Sequence, residues 1–534
     1  DFLQHITEQA KTHNCYIALG VTLRRDLSRD LSNNKQDESI KSNISVTSCL
    51  FSPLKGLIYQ ADKQTLTEYE NDFFISTNKV SEVVTTPFGK LGLLTGSDGV
   101  TFETSRELAL CGAQMLCHSL SSFALDQSSL HGPARACENM VFLASANKIG
   151  SLMPKGKPQE LIAQEKGAIF SAQSDIPQEY LIGVGQSQIL SPSGKVLAKI
   201  SNNDEGFVFA DIDLAECDIN KNKYRPDGTD IIEQRRPELY RGQASLIKQA
   251  LQHNEDKEVP LTANVAIFAT YKSNEQAIED VCHYIENNLS DIIQLPELFF
   301  VADKTIMNNA EEMAQIVCLS KQLINLVSSV LRPFQYVCTS LVIDGSHQAV
   351  IISEDGLFAI QQQLHFCQRY QWTELGDDVN IIELPLEQGN INVAMLTADD
   401  ANIPEIVNVT ALSNIHVLLV PFDIQEPREV EYCLLSRAVE NRICIVAASR
   451  EKNFVSDFPT VNTSSNNIKK RKSQKATGFI ASLTSESALL TSWKSRKFDG
   501  YVNQPLVKHQ HGKITKALIH PIADCNKLMA TKNM

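Results

Sequence analysis

Two hydrophobic rhythms alternate along this chain. Continuous apolar runs such as IIQLPELFF (Ile292 to Phe300) and VAMLT (Val393 to Thr397) predict buried strands. NEQAIEDVCHYIENN and AEEMAQIVCLSKQLINLVSSV instead space their apolar residues three and four apart, as an amphipathic helix does. LLTGSDGVTFE, from Leu93 to Glu103, predicts a strand that breaks into a loop at Gly96, and LALCGAQMLCHS predicts a helix end followed by a strand. Apolar runs separated by amphipathic helices define an α/β (α+β layered) protein whose sheets are covered by helices.

The pattern occurs twice. GKLGLLTGSDGVTFE (Gly89 to Glu103) matches GNINVAMLTADDANIPE (Gly389 to Glu405), with Asp98 and Asp400, and Glu103 and Glu405, each 302 positions apart. ARACENMVFLASANK and SRAVENRICIVAASR carry the same offset at Arg135 and Arg437, Glu138 and Glu440, and Asn139 and Asn441. A constant offset over this distance implies two copies of one domain. We place them at residues 1–244 and 262–534, joined by the polar segment 245–261. FPTVNTSSNNIKKRKSQK, with its basic cluster Lys469–Lys472, reads as a solvated loop in the second copy.

Composition narrows the functional classes. With 534 residues, 43% of them hydrophobic, the chain has material for several cores, and its net charge of −14 argues against nucleic acid or an anionic membrane as partner. The 13 cysteines form no CxxC pair and no His-rich cluster, which suits reduced thiols in a cytoplasm and no metal site. The chain opens on Asp1 without a signal-peptide pattern and reads as part of a longer polypeptide.

Several ordered motifs resemble the nitrilase, or carbon–nitrogen hydrolase, superfamily. They are LPELFF with Glu297, GLIYQADKQTL with Lys63, TGSDGVTFE and TADDANIPE, RACEN and RAVEN, GQSQILSPSGKVLAK, and RRPELY. The resemblance implies two tandem four-layer αββα sandwiches and a Glu-Lys-Cys triad that needs no cofactor. In that triad a thiolate attacks an amide or nitrile carbon, a glutamate is general base, and a lysine stabilises the developing charge.

Two residues before Asp98 and Asp400 the family places its cysteine, and this chain has Gly96 and Ala398. Neither has a side-chain heteroatom. The lysine position holds Lys63 in the first copy and Gln363, in AIQQQLHF, in the second. Glu297 occupies the glutamate position of the second copy. By the 302 offset its counterpart lies five positions before the numbering begins, so the first copy is expected to be incomplete at its N-terminus. Ser97 and Thr397 are the adjacent hydroxyls, and Cys117 reads as a buried thiol. Asp98 and Asp400 are expected to satisfy backbone N–H groups. Lys63 and Glu297 are expected to pair with other buried charges, and the Arg–Glu–Asn sets to form internal ion-pair networks.

The function these residues imply is a catalytically inactive tandem nitrilase-like protein, a scaffold or a ligand- or partner-binding subunit. It would self-associate or form a pseudo-dimer from its two copies. The alternative is a hydrolase of non-peptide carbon–nitrogen bonds, with a non-standard nucleophile or a module outside this chain.

Overall fold

The structure, a computed structural model, describes residues 2–25, 43–66, 70, 74–77, 79, 81–122, 127–152, 182–201, 204–217, 225–241, 259–270, 275–301, 309–426, 429–455, 473–482, 507–509 and 512–519. Most of segment 245–261 and the cluster Lys469–Lys472 lie outside these residues. Two compact units divide between Asn222 and Lys223. The division is earlier than the boundary at 244 read from the sequence, because Arg225–Arg241 packs with the second unit through ion pairs described below.

In the first unit, α1 (Phe2–Thr12) precedes an antiparallel sheet of β1 (Ile17–Arg24), β2 (Ile44–Ser52) and β3 (Gly56–Asp62). A second sheet has the order β11-β10-β7-β6-β5-β4. Its members are β4 (Val84–Thr86), β5 (Gly89–Thr95), β6 (Met115–Leu120), β7 (Phe142–Asn147), β10 (Gln188–Leu190) and β11 (Val196–Lys199). Strands β5, β6 and β7 are parallel. Their links are α2 (Glu103–Leu110) and α3 (Gly132–Asn139), since parallel neighbours require crossovers. A short ribbon of β8 (Ile149–Ser151) and β9 (Ile182–Val184) stands apart. Leu50 and Ala61 of the first sheet pack on Leu91 and Leu93 of the second, whose other face buries Leu94, Leu116 and Leu143 with Leu108 and Ala136 of the helices.

The second unit is larger. Its described helices begin with the turn α4 (Pro237–Tyr240). One sheet has the order β16-β15-β14-β13-β12-β23-β22. It contains β12 (Ala263–Thr270), β13 (Ile292–Gln294), β14 (Tyr336–Ile343), β15 (Ser346–Ser353), β16 (Gly356–Gln362), β22 (Val507–His509) and β23 (Gly512–Ile519). Helices α5 (Glu275–Glu286) and α6 (Ala310–Val330) bury Ile278, Val281, Leu323 and Val327 against it. Helix α6 is long and apolar enough to cross a membrane by length and composition, but here its apolar stripe joins this core. Asn309 caps it by accepting from the Glu311 N–H at 3.0 Å, and Glu311 and Glu312 favour the positive end of its dipole.

The other sheet runs β17 (Ile381–Leu386), β18 (Gly389–Met395), β19 (Val417–Pro421), β20 (Cys444–Val455) and β21 (Ser473–Ala481) in order. Its inner face, with Val393, Met395, Leu419 and Val446, meets Ile292, Cys338 and Ile351 of the first sheet. The turn α7 (Ala398–Ala401) and helices α8 (Pro404–Leu412) and α9 (Ser436–Asn441) complete the unit.

Both predicted helices form where their spacing placed them, and the strand ending at Gly96 ends at Thr95. IIQLPELFF is not one strand. Only Ile292–Gln294 pairs, because Pro296 has no N–H to donate and Leu298 takes a left-handed φ of +39°. The offset also changes upstream of β2. The strand beside β2 starts at Ile17 and the one beside β15 at Tyr336, a separation of 319, because residues 25–43 intervene where the other hairpin turns at Asp344 and Gly345. The twelve described cysteines are free thiols.

Candidate functional site

In the first unit, β5 delivers Gly96 to the start of a 3₁₀ turn spanning Gly96–Gly99. Gly96 has a φ of +55°, a region open to glycine without a steric penalty. A Cβ built there would lie 3.2 Å from Cε and Nζ of Lys63, so the sheet does bring these two positions together. Lys63 is buried and forms an ion pair with Glu70. The carbonyl of Gly96 accepts from Nε2 of His118 at 2.8 Å, and burial pushes that imidazole down to about 4, keeping it neutral.

Ser97 donates its hydroxyl proton to the Thr65 carbonyl at 2.6 Å, a contact that gives no general base. Burial raises the Cys117 thiol to about 11, far from a reactive thiolate. Replacing Gly96 by Ala should lower stability by roughly 1–2 kcal/mol through left-handed strain, with the flexible Lys63 end giving way; denaturant titration would measure it.

Asp98 and Asp400 do the same work. Asp98 accepts from the backbone N–H of Gln64 at 3.1 Å and of Thr65 at 2.7 Å. Asp400 accepts from that of Leu364 at 3.0 Å and of His365 at 2.9 Å. Each thereby ties the turn after its strand to the loop that carries Lys63 or Gln363. Arg135 pairs with Glu138 at 2.8 Å, and Arg437 with Glu440 at 2.8 Å. Asn139 and Asn441 each donate to the carbonyl of their arginine at 2.9 Å. The turns entering α3 and α9 are both π-helical, at Gln127–His131 and Glu429–Leu435.

The second unit gathers Glu297, Gln363 and Ala398 around one buried cluster. Gln363 accepts from Nδ1 of His347 at 2.7 Å and donates to the His365 carbonyl at 2.7 Å. With Nδ1 donating, Nε2 of His347 accepts from Ser340 at 2.9 Å, and burial pushes this ring down to about 4. Glu297 stands 3.7 Å from that same Nε2. Its carboxylate accepts from Arg369 at 3.0 Å and from the Tyr370 hydroxyl at 2.9 Å.

Arg369 also reaches Asp399, beside Ala398, at 2.6 Å and Asp423 at 2.8 Å. Asp399 takes a second arginine, Arg225, at 3.0 Å, whose other amine holds Glu429 at 2.9 Å. Thr397 is fully buried, and its hydroxyl donates to Asp400 at 2.8 Å.

Electrostatics follow from this count of two arginines and four carboxylates. Burial pushes Glu297 up to about 7, only partly offset by Arg369, with Asp399 and Asp423 adding to the rise. Burial would raise Asp399 too, but Arg369 and Arg225 together hold it down at about 2. Glu429 is raised by burial, against the pull of Arg225. Asp227, Cys367 and Asp399 bring three potential metal-ligand atoms within 4.8 Å of one another. They suit an ion poorly. Both Asp399 oxygens are on arginines, Asp227 accepts from Thr229 at 2.7 Å, and burial raises the Cys367 thiol far above its usual range.

Of these residues the sequence reading named Glu297, Gln363, Thr397, Ala398 and Asp400. Asp399 had a signal in its adjacency to Ala398. Arg369, His347, Arg225, Asp423 and Glu429 had none, because they arrive from other segments.

Residues 1–219 match the carbon-nitrogen hydrolase family, so the first unit carries a domain of that family. Among individual relatives, a probable nitrilase of Schizosaccharomyces pombe is 27% identical over 210 residues, 39% of this chain and 65% of that protein. The chain thus spans just under two thirds of that relative's length. Solved structures of an amidase of the nitrilase superfamily from Nesterenkonia AN1 align at 20% identity with a TM-score of 0.32, covering 45% of this chain and 72% of that one. Another amidase structure from Nesterenkonia sp. aligns at 19% identity with a TM-score of 0.32, over 45% and 71% respectively.

Proposed function

We propose that this chain is a tandem nitrilase-like protein in which neither copy hydrolyses a carbon–nitrogen bond, and that it serves as a scaffold or partner-binding subunit. The observation that carries this reading is Arg369. Its guanidinium lies on Glu297, the residue in the general-base position, and ties it to Asp399 beside Ala398. Arg369 and the Tyr370 hydroxyl both engage Oε2 of this carboxylate, and at Ala398 there is no attacking group whose proton it could take. In the first unit, Gly96 offers no attacking atom, and the charge of Lys63 is matched by Glu70. The tandem reading draws support from the shared roles of Asp98 and Asp400, the two Arg–Glu–Asn sets and the two π-turns.

Ammonia release by the purified chain, across amides, nitriles and N-carbamoyl compounds, tests this. The double variant Lys63→Met, Glu297→Gln is the control. Release equal to the control is expected. Release that vanishes in the double variant would instead favour a carbon–nitrogen hydrolase with a non-standard nucleophile.

A further inference from the structure

We propose that the second unit carries a docking site for an arginine-bearing peptide, occupied here by the chain's own residues Arg225–Tyr240. This rests on reading the second unit as a binding module. The segment is held by its side chains at points spread along it. Arg225 reaches Asp399 and Glu429, and Arg235 donates to Glu405 at 2.7 Å. Arg236 donates to the carbonyls of Leu364 at 2.9 Å and Gly376 at 2.6 Å, and to Asp377 at 2.7 Å. Tyr240 closes the far end. Nδ1 of His365 donates to Asp400 at 2.8 Å, leaving Nε2 to accept the Tyr240 hydroxyl at 2.7 Å, and the two rings stack with centroids 5.9 Å apart.

The chemistry of this attachment is that of recognition, not of a core. The fully buried residues of the segment are Arg225, Thr229 and Gln234, none of them apolar, while Ile231, Ile232, Leu239 and Tyr240 are half-buried. The segment contributes no strand to a sheet, only an isolated bridge residue at Asp230. Carboxylates and backbone carbonyls receive three guanidinium groups, the planar donors best matched to such acceptors, and an aromatic ring anchors the end. A segment held chiefly by such polar contacts, with its apolar side chains only half-buried, can be displaced by another of the same chemistry. The docking loop, Leu364–Arg369, also carries Arg369, so occupancy of this site and the order of the Glu297 cluster are linked.

The test uses a labelled synthetic peptide spanning residues 225–241 and the full chain. Wild type, whose site is filled, is expected to bind it weakly. The variant Arg235→Gln, Arg236→Gln, which loosens the partly exposed half of the segment, should bind at least tenfold more tightly. A peptide with its arginines replaced by Gln should not bind. Hydrogen exchange gives a second readout that needs no ligand, with faster exchange of amides 364–368 in the variant than in wild type. Equal binding by wild type and variant, no binding by either, binding of the arginine-free peptide, or unchanged exchange would each overturn the proposal. Ammonia release alone would sink the non-catalytic reading and leave the peptide result standing.

Discussion

Replacing Arg369 by Met should cost about 3–5 kcal/mol of stability, the usual penalty for leaving one side of a buried ion pair without its partner. The magnitude follows from what remains. Glu297 and Asp399 are both 2% exposed, and loss of one guanidinium withdraws an ion pair from each of them and from Asp423. Arg225 still compensates Asp399, but in the described network Glu297 keeps only the Tyr370 hydroxyl as a close donor. The triple variant Arg369→Met, Glu297→Gln, Asp399→Asn removes charges of both signs and should recover most of the loss. Chemical denaturation of the three proteins side by side decides it. A single variant as stable as wild type would show that the network is solvated and not a closed lock.

Stability should also fall as the pH rises from about 5 to about 8, and Glu297→Gln should remove that fall. The Glu297 carboxyl is raised to about 7 from an ordinary 4.5, so between these values the folded protein holds a proton that the unfolded chain has released. Its stabilising contribution is complete below the unfolded value and is lost as pH passes upward through the folded one. At roughly 1.4 kcal/mol per unit, the variant should gain on the order of 2–3 kcal/mol relative to wild type between pH 5 and pH 8. The groups facing the carboxyl leave this window clear. His347 is held neutral by burial, Arg369 stays charged, and Tyr370 is pushed further from titration. Asp399, lowered to about 2, acts in the opposite sense, but only at acid pH, where stability is lost as it protonates. Unfolding curves at a series of pH values would test the window, and parallel profiles for the two proteins would refute it.

The sequence by itself determined a great deal here. Apolar periodicity located α5 and α6 and the strand that ends before Gly96, because those patterns express only which face of a local element is buried. The 302 offset sets Asp98 beside Asp400, and one Arg–Glu–Asn set beside the other, in the sequence alone. It also singled out Gly96 and Ala398, since the absence of a heteroatom is a property of the residue alone.

The tertiary structure decided what surrounds these positions. Arg369 is 72 positions from Glu297, 30 from Asp399 and 54 from Asp423, and Arg225 is 174 from Asp399. No local pattern marks such pairs, because a buried charge is matched by whichever segment the fold carries to it. The boundary near 222 was hidden for the same reason. A polar stretch such as Arg225–Tyr240 reads as ordinary loop until the carboxylates that hold it are brought beside it.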